Sequence, residues 1–380
     1  NNKMNNKPKI CLNTMVANEA HVIERMLQSC YKHICYWVIQ DNGSKDGTQE
    51  IIRNFFNQKN IPGFLYEIEW RYPGYNRDHA LQTCLKAQHD CDWILRIDAD
   101  ETIEIHDDFD WNLLNDTSVQ SYNILALQGN CSYQRCWLWN TKFPWKFKHD
   151  KRHETIYLDG VGEGFQRVSM PNNFKHLVHG DGNSWFNPYK FYGDALEIEK
   201  DLLTSERMNY DLYHLFYIAK SYYDYVMDPR SKYPFGSKHQ SECLRRAVFF
   251  FEQYLNISHD FENTQKALRW DEMAYICLIC SADLYKKADD NLTALHKLRL
   301  AEQFCPERNE HLLNMAEIFF ETAQKEPFLK VTSIMMKPER KNPFPKFSLF
   351  INNNAYHDTG TYVSYLHKNA CLFNNILSVV

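Results

Sequence analysis

The sequence has no run of roughly 20 apolar residues of the kind that spans a bilayer. Asn1 to Lys9 is polar, with no apolar core of a secretory leader behind it, so a cytoplasmic, soluble protein without a membrane span is expected. Positive charge is not in excess: 43 Lys and Arg stand against 48 Asp and Glu, a formal net charge of -5. No global field recruits nucleic acid or an anionic membrane. The 12 cysteines are scattered through apolar segments, Cys84, Cys91, Cys277 and Cys280 among them, with neither a paired zinc spacing nor the density of a disulfide scaffold. Free, buried thiols in a reducing compartment are the expectation. Two nucleotide-binding signatures are also missing. The turn Val16-Ala17-Asn18-Glu19-Ala20 lacks the Gly-x-Gly-x-x-Gly of a dinucleotide fold, and no Gly-x-x-x-x-Gly-Lys-Ser/Thr occurs, which removes support for hydride and P-loop chemistry. Asn42-Gly43-Ser44-Lys45-Asp46-Gly47 starts like a calcium loop, but Arg53 stands where the bidentate Glu is required.

What is present is enough apolar material for a large core: 44% of the 380 residues are hydrophobic and 15% aromatic. That length suits two domains. From Ile10 to Asp98, strand-like runs alternate with helical stretches. Ile10–Val16, Tyr36–Gln40, Phe64–Trp70 and Trp93–Asp98 read as strands; Ala20–Cys30, Thr48–Phe56 and Asp78–Ala87 read as helices. This pattern predicts right-handed βαβ units and a mostly parallel, Rossmann-like sheet. Beyond about Lys200 the texture changes to helices rich in Tyr, Leu and Ala, at Tyr213–Tyr225, Ser241–Leu255, Trp270–Tyr285, Asn291–Phe304 and His311–Ala323. The expected organisation is an α/β catalytic domain over 1–200 and an all-α, tetratricopeptide-like repeat domain over 201–326. A loop from Pro327 to Pro345 and a packed piece, Phe347 to Leu372, complete the segment 327–380.

In a parallel sheet, ligands sit outside the carboxyl ends of the strands. Here those ends are polar: Ala17-Asn18-Glu19, Asp41-Asn42-Gly43-Ser44 and Asp98-Ala99-Asp100-Glu101. Two aspartates two residues apart on extended backbone point to the same side, so Asp98 and Asp100 can share a hard divalent cation together with substrate phosphates. An isolated Asp-x-Asp is also a common solvated turn.

Met15-Val16-Ala17-Asn18-Glu19-Ala20, Val38 to Thr48 with Asp41-Asn42-Gly43-Ser44-Lys45-Asp46, Asn76-Arg77-Asp78, and Trp93 to Glu101 with Asp98-Ala99-Asp100 come in an order that resembles family 2 glycosyltransferases of GT-A fold. The helices behind them resemble the C-terminal tetratricopeptide array of one subgroup of that family. The resemblance implies transfer of a hexosyl or N-acetylhexosaminyl group from a nucleotide sugar, with a UDP-sugar the expected donor, Mn²⁺ or Mg²⁺ the cofactor, and a glycan or protein hydroxyl the acceptor. It implies that Ala17, Asn18, Glu19 and Asp41 hold the base and ribose and that Asp46 orients the second loop. Arg77 then stands near the phosphates, Asp98 and Ala99 near ribose and metal, and Asp100 on the metal. Asp78 departs from the family's common Asn. Tyr157 to Phe165 resembles the segment that carries the catalytic acid, usually written His-Glu; Gly162 takes the His position and Glu163 is the expected base, with Asp159 in reserve. In His176-Leu177-Val178-His179, His179 is the expected further metal ligand. Trp137, Trp139, Trp145 and Trp185 could stack on sugars, although core is the expectation for most. The helices offer a surface for a protein partner or a homodimer. The rival readings are a GT-like binding or scaffold protein without catalysis and a sugar nucleotidyltransferase, the latter disfavoured because Val16 to Ala20 lacks a Gly-rich basic loop.

Overall fold

The computed structural model describes residues 8–128, 131–150, 152–204, 212–230, 236–261, 271–335 and 337. The chain divides between Asn187 and Pro188 into two units. The change of texture near Lys200 thus falls inside the first helix of the second unit, α4 (Lys190–Thr204).

The first unit begins with β1 (Ile10–Val16), α1 (Ile23–Cys30), β2 (Tyr36–Asp41), α2 (Thr48–Lys59), β3 (Gly63–Glu67), α3 (Pro73–Lys86) and β4 (Trp93–Arg96). Local signals set these bounds. Gly47, at φ 93°, precedes α2, and Asn60, at φ 53°, ends it in a left-handed cap. Pro73 opens α3, where its missing N–H has no intrahelical acceptor to lose. The later strands are β5 (Glu101–Ile105), β6 (Ser121–Gln128), β7 (Cys131–Asn140), β8 (Trp145–Phe147), β9 (Ile156–Leu158), β10 (Arg167–Ser169) and β11 (Phe174–Val178). The main sheet runs β3-β2-β1-β4-β7-β6-β11-β5, with β10 beside β6, while β8 and β9 form a separate ribbon. β3, β2, β1 and β4 are mutually parallel, and β7 and β5 are antiparallel to their neighbours.

Alternation along the strands supplies both faces of this sheet. Leu12, Ile39 and Leu95 enter the core under α1 and α2, whereas Cys11, Val38 and Ile94 enter the core under α3 with Trp139 and Trp145. Both of those tryptophans are therefore core, and Trp137 lies partly buried against the same cluster.

The second unit, among the described residues, is helical: α4, then α5 (Leu212–Met227), α6 (Lys238–Phe261), α7 (Asp271–Lys287), α8 (Asn291–Phe304), α9 (Glu310–Glu321) and α10 (Lys325–Met335). Each helix packs on the next in sequence. One apolar cluster forms around Tyr222, Phe251 and Cys277, and another around Leu298, Leu313 and Phe328. The loop expected from Pro327 begins instead as α10, because a proline in a first turn interrupts no hydrogen bond. The expected piece from Phe347 to Leu372 lies outside the described residues.

Candidate functional site

Winding order locates the site. β1 pairs with β2 on one side and β4 on the other, so the chain's progress along the sheet reverses at β1–β4, and the crevice outside their carboxyl ends is where a parallel sheet receives ligands. Glu19 follows β1, and Asp98 and Asp100 follow β4.

The β1 and β2 loops leave the sheet side by side, since Val16 and Asp41 are partners in register. They are then stitched together. Asn18, in the left-handed region at φ 58°, donates its N–H to Ser44 Oγ at 2.8 Å, and its Oδ1 accepts the Lys45 N–H at 2.8 Å. Glu19 N–H donates to Thr48 Oγ1 at 2.8 Å, and Ala20 N–H donates to Asp46 Oδ2 at 2.9 Å. Asp46 Oδ1 accepts from Thr48 as well, so Asp46 braces the second loop against the first. Asp41 is fully buried; Oδ2 accepts from the Gly43 and Ser44 N–H groups and from Gln49 Nε2, while Oδ1 has no partner.

The α3 end is held from below. Asn76, fully buried, accepts the Arg71 and Tyr72 N–H groups on Oδ1 at 2.9 and 3.2 Å and donates Nδ2 to Glu69 O at 3.1 Å. Asp78 accepts the Phe147 N–H at 2.8 Å and faces His149 Nε2 at 3.2 Å, so it anchors the β8 ribbon.

Asp98-Ala99-Asp100 is not extended. β4 ends at Arg96, and the Glu101 N–H donates to Asp98 O at 3.1 Å, which closes a tight turn into β5. The same-side argument for an extended Asp-x-Asp therefore does not apply; the turn separates the environments of the two carboxylates. Asp98 Oδ1 is shared by Arg96 at 3.0 Å and Arg77 at 3.3 Å. Asp100 turns toward the segment after β11, where the Gly182 N–H reaches Oδ2 at 3.2 Å. A Cβ on Gly182 would sit 3.0 Å from Asp100 Cγ, so only glycine permits this approach without displacement. The same segment covers Glu19: the Asn183 N–H donates to Oε2 at 3.1 Å, and Asn183 Nδ2 reaches Ala17 O at 3.4 Å. Asp181 is clamped by both Arg25 nitrogens, at 2.9 and 2.6 Å.

This packing leaves negative charge poorly balanced. Burial pushes the Glu19 carboxyl up to about 7, assisted by the charge of Asp100 and opposed by the Asn183 N–H. Burial, then the neighbouring Asp98 and Glu101, likewise raises Asp100.

Arg77, expected near phosphates, is paired with Asp98 and with a residue the sequence reading passed over, Glu154. The Glu154 side chain is 9% exposed, and its burial pushes the carboxyl up against the pull of Arg77. Glu154 is preceded by His153, an intact His-Glu pair upstream of the segment where that signature was expected. Glu163 and Asp159 lie instead on the exposed turn after β9, Glu163 paired with Lys148 and Asp159 with Lys146 Nζ at 2.6 Å. Neither makes a hydrogen bond or ion pair to Asp98, Asp100 or Arg77 among the described residues. A further buried set lies beneath: Arg135 pairs with Glu101, its guanidinium 4.1 Å from the centre of the Trp137 ring, and fully buried His176 stands edge-on to that ring. His179 is exposed and directs Nε2 to Thr102 Oγ1 at 3.0 Å. Asp98, Asp100 and His179 do not form a group of converging ligand atoms among the described residues; the group that does is Cys11, Cys84 and His89.

Residues 14–108 match the family model described as Glycosyl transferase family 2. The match supports a glycosyltransferase of that type, with a nucleotide-sugar donor and an acceptor. It contains every strand-end residue from Ala17 to Asp100 and stops short of Glu154, Glu163 and Gly182. No curated protein matches the chain. Among the described residues, no helix is long and apolar enough to cross a membrane.

Proposed function

We propose that this chain is an inverting, divalent-cation-dependent glycosyltransferase that moves a hexosyl or N-acetylhexosaminyl group from a UDP-sugar to a hydroxyl of a glycan or protein. The observation that carries the reading is the placement of Glu19 after β1 and of Asp98 and Asp100 after β4, at the same edge of the sheet, where the charges of Asp100 and Asp98 both raise the Glu19 carboxyl. Oxygen ligands with surplus negative charge suit Mg²⁺ or Mn²⁺, and these three residues would hold such an ion. When bound, it supplies charge neutralisation for a departing diphosphate.

The remaining roles belong to the chain itself. The buried, unpartnered Oδ1 of Asp41 is an acceptor for a base N–H or a ribose hydroxyl, and the braced backbone of Ala17 to Glu19 shapes the nucleotide side of the crevice. We assign the base to Glu154 in place of Glu163 or Asp159. Its carboxylate takes the acceptor's hydroxyl proton as the acceptor oxygen bonds to the anomeric carbon and the bond to the diphosphate oxygen breaks. Arg77, between Glu154 and Asp98, sets the spacing of base and donor subsites. The helical unit, read as tetratricopeptide-like, would recognise the acceptor's carrier, a partner or a second copy. The intact His153-Glu154 pair weighs against an inactive scaffold.

Calorimetry with UDP and Mn²⁺ tests the donor site. Asp100→Ala is expected to abolish the metal-dependent part of UDP binding; unchanged affinity in the variant, beside metal-dependent binding in the wild type, would sink the assignment.

A further inference from the structure

The amino ends of the parallel strands, opposite the edge described above, carry a second convergence of chemistry-bearing side chains. Cys11 lies at the start of β1, Cys84 in the last turn of α3, and His89 and Cys91 on the way from α3 to β4. Cys35 precedes β2. Cys11 Sγ and Cys84 Sγ are 3.4 Å apart, and Cys35 Sγ and Cys91 Sγ are also 3.4 Å apart. The Cys11 and Cys91 thiols also influence each other electrostatically, which links the two pairs between the buried face of α3 and exposed Cys35. His89 Nε2 stands 3.9 Å from Cys84 Sγ, and the ligand atoms of Cys11, Cys84 and His89 all lie within 4.8 Å of one another.

We infer that Cys11, Cys84 and His89, with Cys91 as fourth ligand, form a structural site for a thiophilic divalent cation, zinc before all others. Thiolate and imidazole are the donors that select zinc, and they disfavour the hard ions suited to the carboxylate site. Zinc–sulfur bonds of about 2.3 Å in a tetrahedron place sulfurs roughly 3.8 Å apart, so the Cys11–Cys84 pair needs to open by only a few tenths of an ångström. Cys91, whose sulfur lies 3.4 Å from that of Cys35 and outside the converging three, would turn toward the ion to complete the tetrahedron. His89 exchanges two backbone hydrogen bonds, from Nε2 to Cys84 O at 2.9 Å and from the Cys91 N–H to Nδ1 at 3.3 Å, for the metal.

The ion would tie β1, the end of α3 and the lead into β4 together at one point. Because α3 also carries Asn76 and Arg77, the pin would fix that helix from the end remote from the crevice.

The test uses the full chain, purified under reductant, stripped of metal, given Zn²⁺ and separated from free ion. Metal content by mass spectrometry is expected to be one zinc per chain, and Co²⁺ in its place is expected to show a near-ultraviolet thiolate charge-transfer band. In competition with a chromophoric chelator, Cys84→Ser is expected to weaken zinc roughly a hundredfold and His89→Ala roughly tenfold, with Cys35→Ser within about threefold of wild type. His89 is partly exposed, so it decides the matter if the Cys84 variant fails to fold. Wild type without stoichiometric zinc would overturn the site, as would zinc binding unchanged by His89→Ala. A Cys11–Cys84 disulfide in metal-free protein purified without reductant, with no zinc uptake after reduction, would do the same.

Discussion

The Asn183 backbone N–H donates to Glu19 Oε2 at 3.1 Å and favours the charged form of a carboxyl that burial nonetheless holds at about 7, up from an ordinary 4.5. A group that binds its proton more tightly folded than unfolded makes folding proton-consuming across that interval. Below it Glu19 is neutral in both states. As pH rises through the window the unfolded carboxyl ionises while the folded one keeps its proton, so stability is lost until about pH 7, above which the folded state carries the buried charge at constant cost. Glu19→Gln keeps an oxygen for the Asn183 N–H without the charge. Its melting temperature should match wild type near pH 5 and exceed it by a few degrees at pH 8; an equal offset at both would refute the assignment.

Gly182 has an ordinary φ of −68°, so alanine there meets no backbone strain. The obstacle is Asp100, whose Cγ a new Cβ would approach to 3.0 Å. Gly182→Ala is expected to change unfolding free energy by less than about 1 kcal/mol, since unfolded-state entropy favours alanine by a similar amount. Displacing Asp100 should nevertheless weaken Mn²⁺-dependent UDP binding roughly tenfold. A urea titration and calorimetry on the same preparation separate the two effects.

Asn76 carries no proposed chemistry, yet it satisfies two N–H groups and one carbonyl in the loop before α3. Asn76→Ala strands all three next to a fully buried position. The expected loss is roughly 2–4 kcal/mol in urea unfolding, the scale of several orphaned backbone groups. A loss below about 1 kcal/mol would mean that water reaches the loop.

The alternation from β1 to β4 was legible because β1, β2 and β4 are buried on both faces, β3 at the sheet edge is half-buried, and each helix is buried on one face, which fixes the apolar period. The same logic located the strand-end loops, since polar clusters after buried strands have few other reasons to exist. It misjudged Asp98-Ala99-Asp100, where the Glu101 N–H closes a turn onto Asp98 O that no periodicity records. Glu154 was harder. The chain offers a Glu after Gly162 and another after His153, and only the packing of the β8 ribbon against α3, through Asp78, shows which one meets Arg77. The sulfur run was invisible because its members come from separate elements with no ligand spacing between them.

That choice between two glutamates yields the sharpest test of the catalytic assignment. Glu154 is buried against Arg77, and burial raises its proton affinity, as a base poised to accept a proton requires. Glu163 is exposed and neutralised by Lys148, and water screens such a pair, so its removal alters little beyond the local surface. Glu154→Gln preserves shape and cannot take a proton; turnover should fall by roughly a hundredfold or more while the donor's affinity stays within a few-fold. Glu163→Gln should transfer sugar at a rate within about threefold of wild type. Because the amide also breaks the ion pair with Arg77, a melting curve must accompany the kinetics, and an Arg77→Lys variant shows how much of the loss comes from that pair alone. Slow transfer in Glu163→Gln together with near-normal transfer in Glu154→Gln would return the base to the turn after β9 and leave Glu154 as the counter-ion of Arg77.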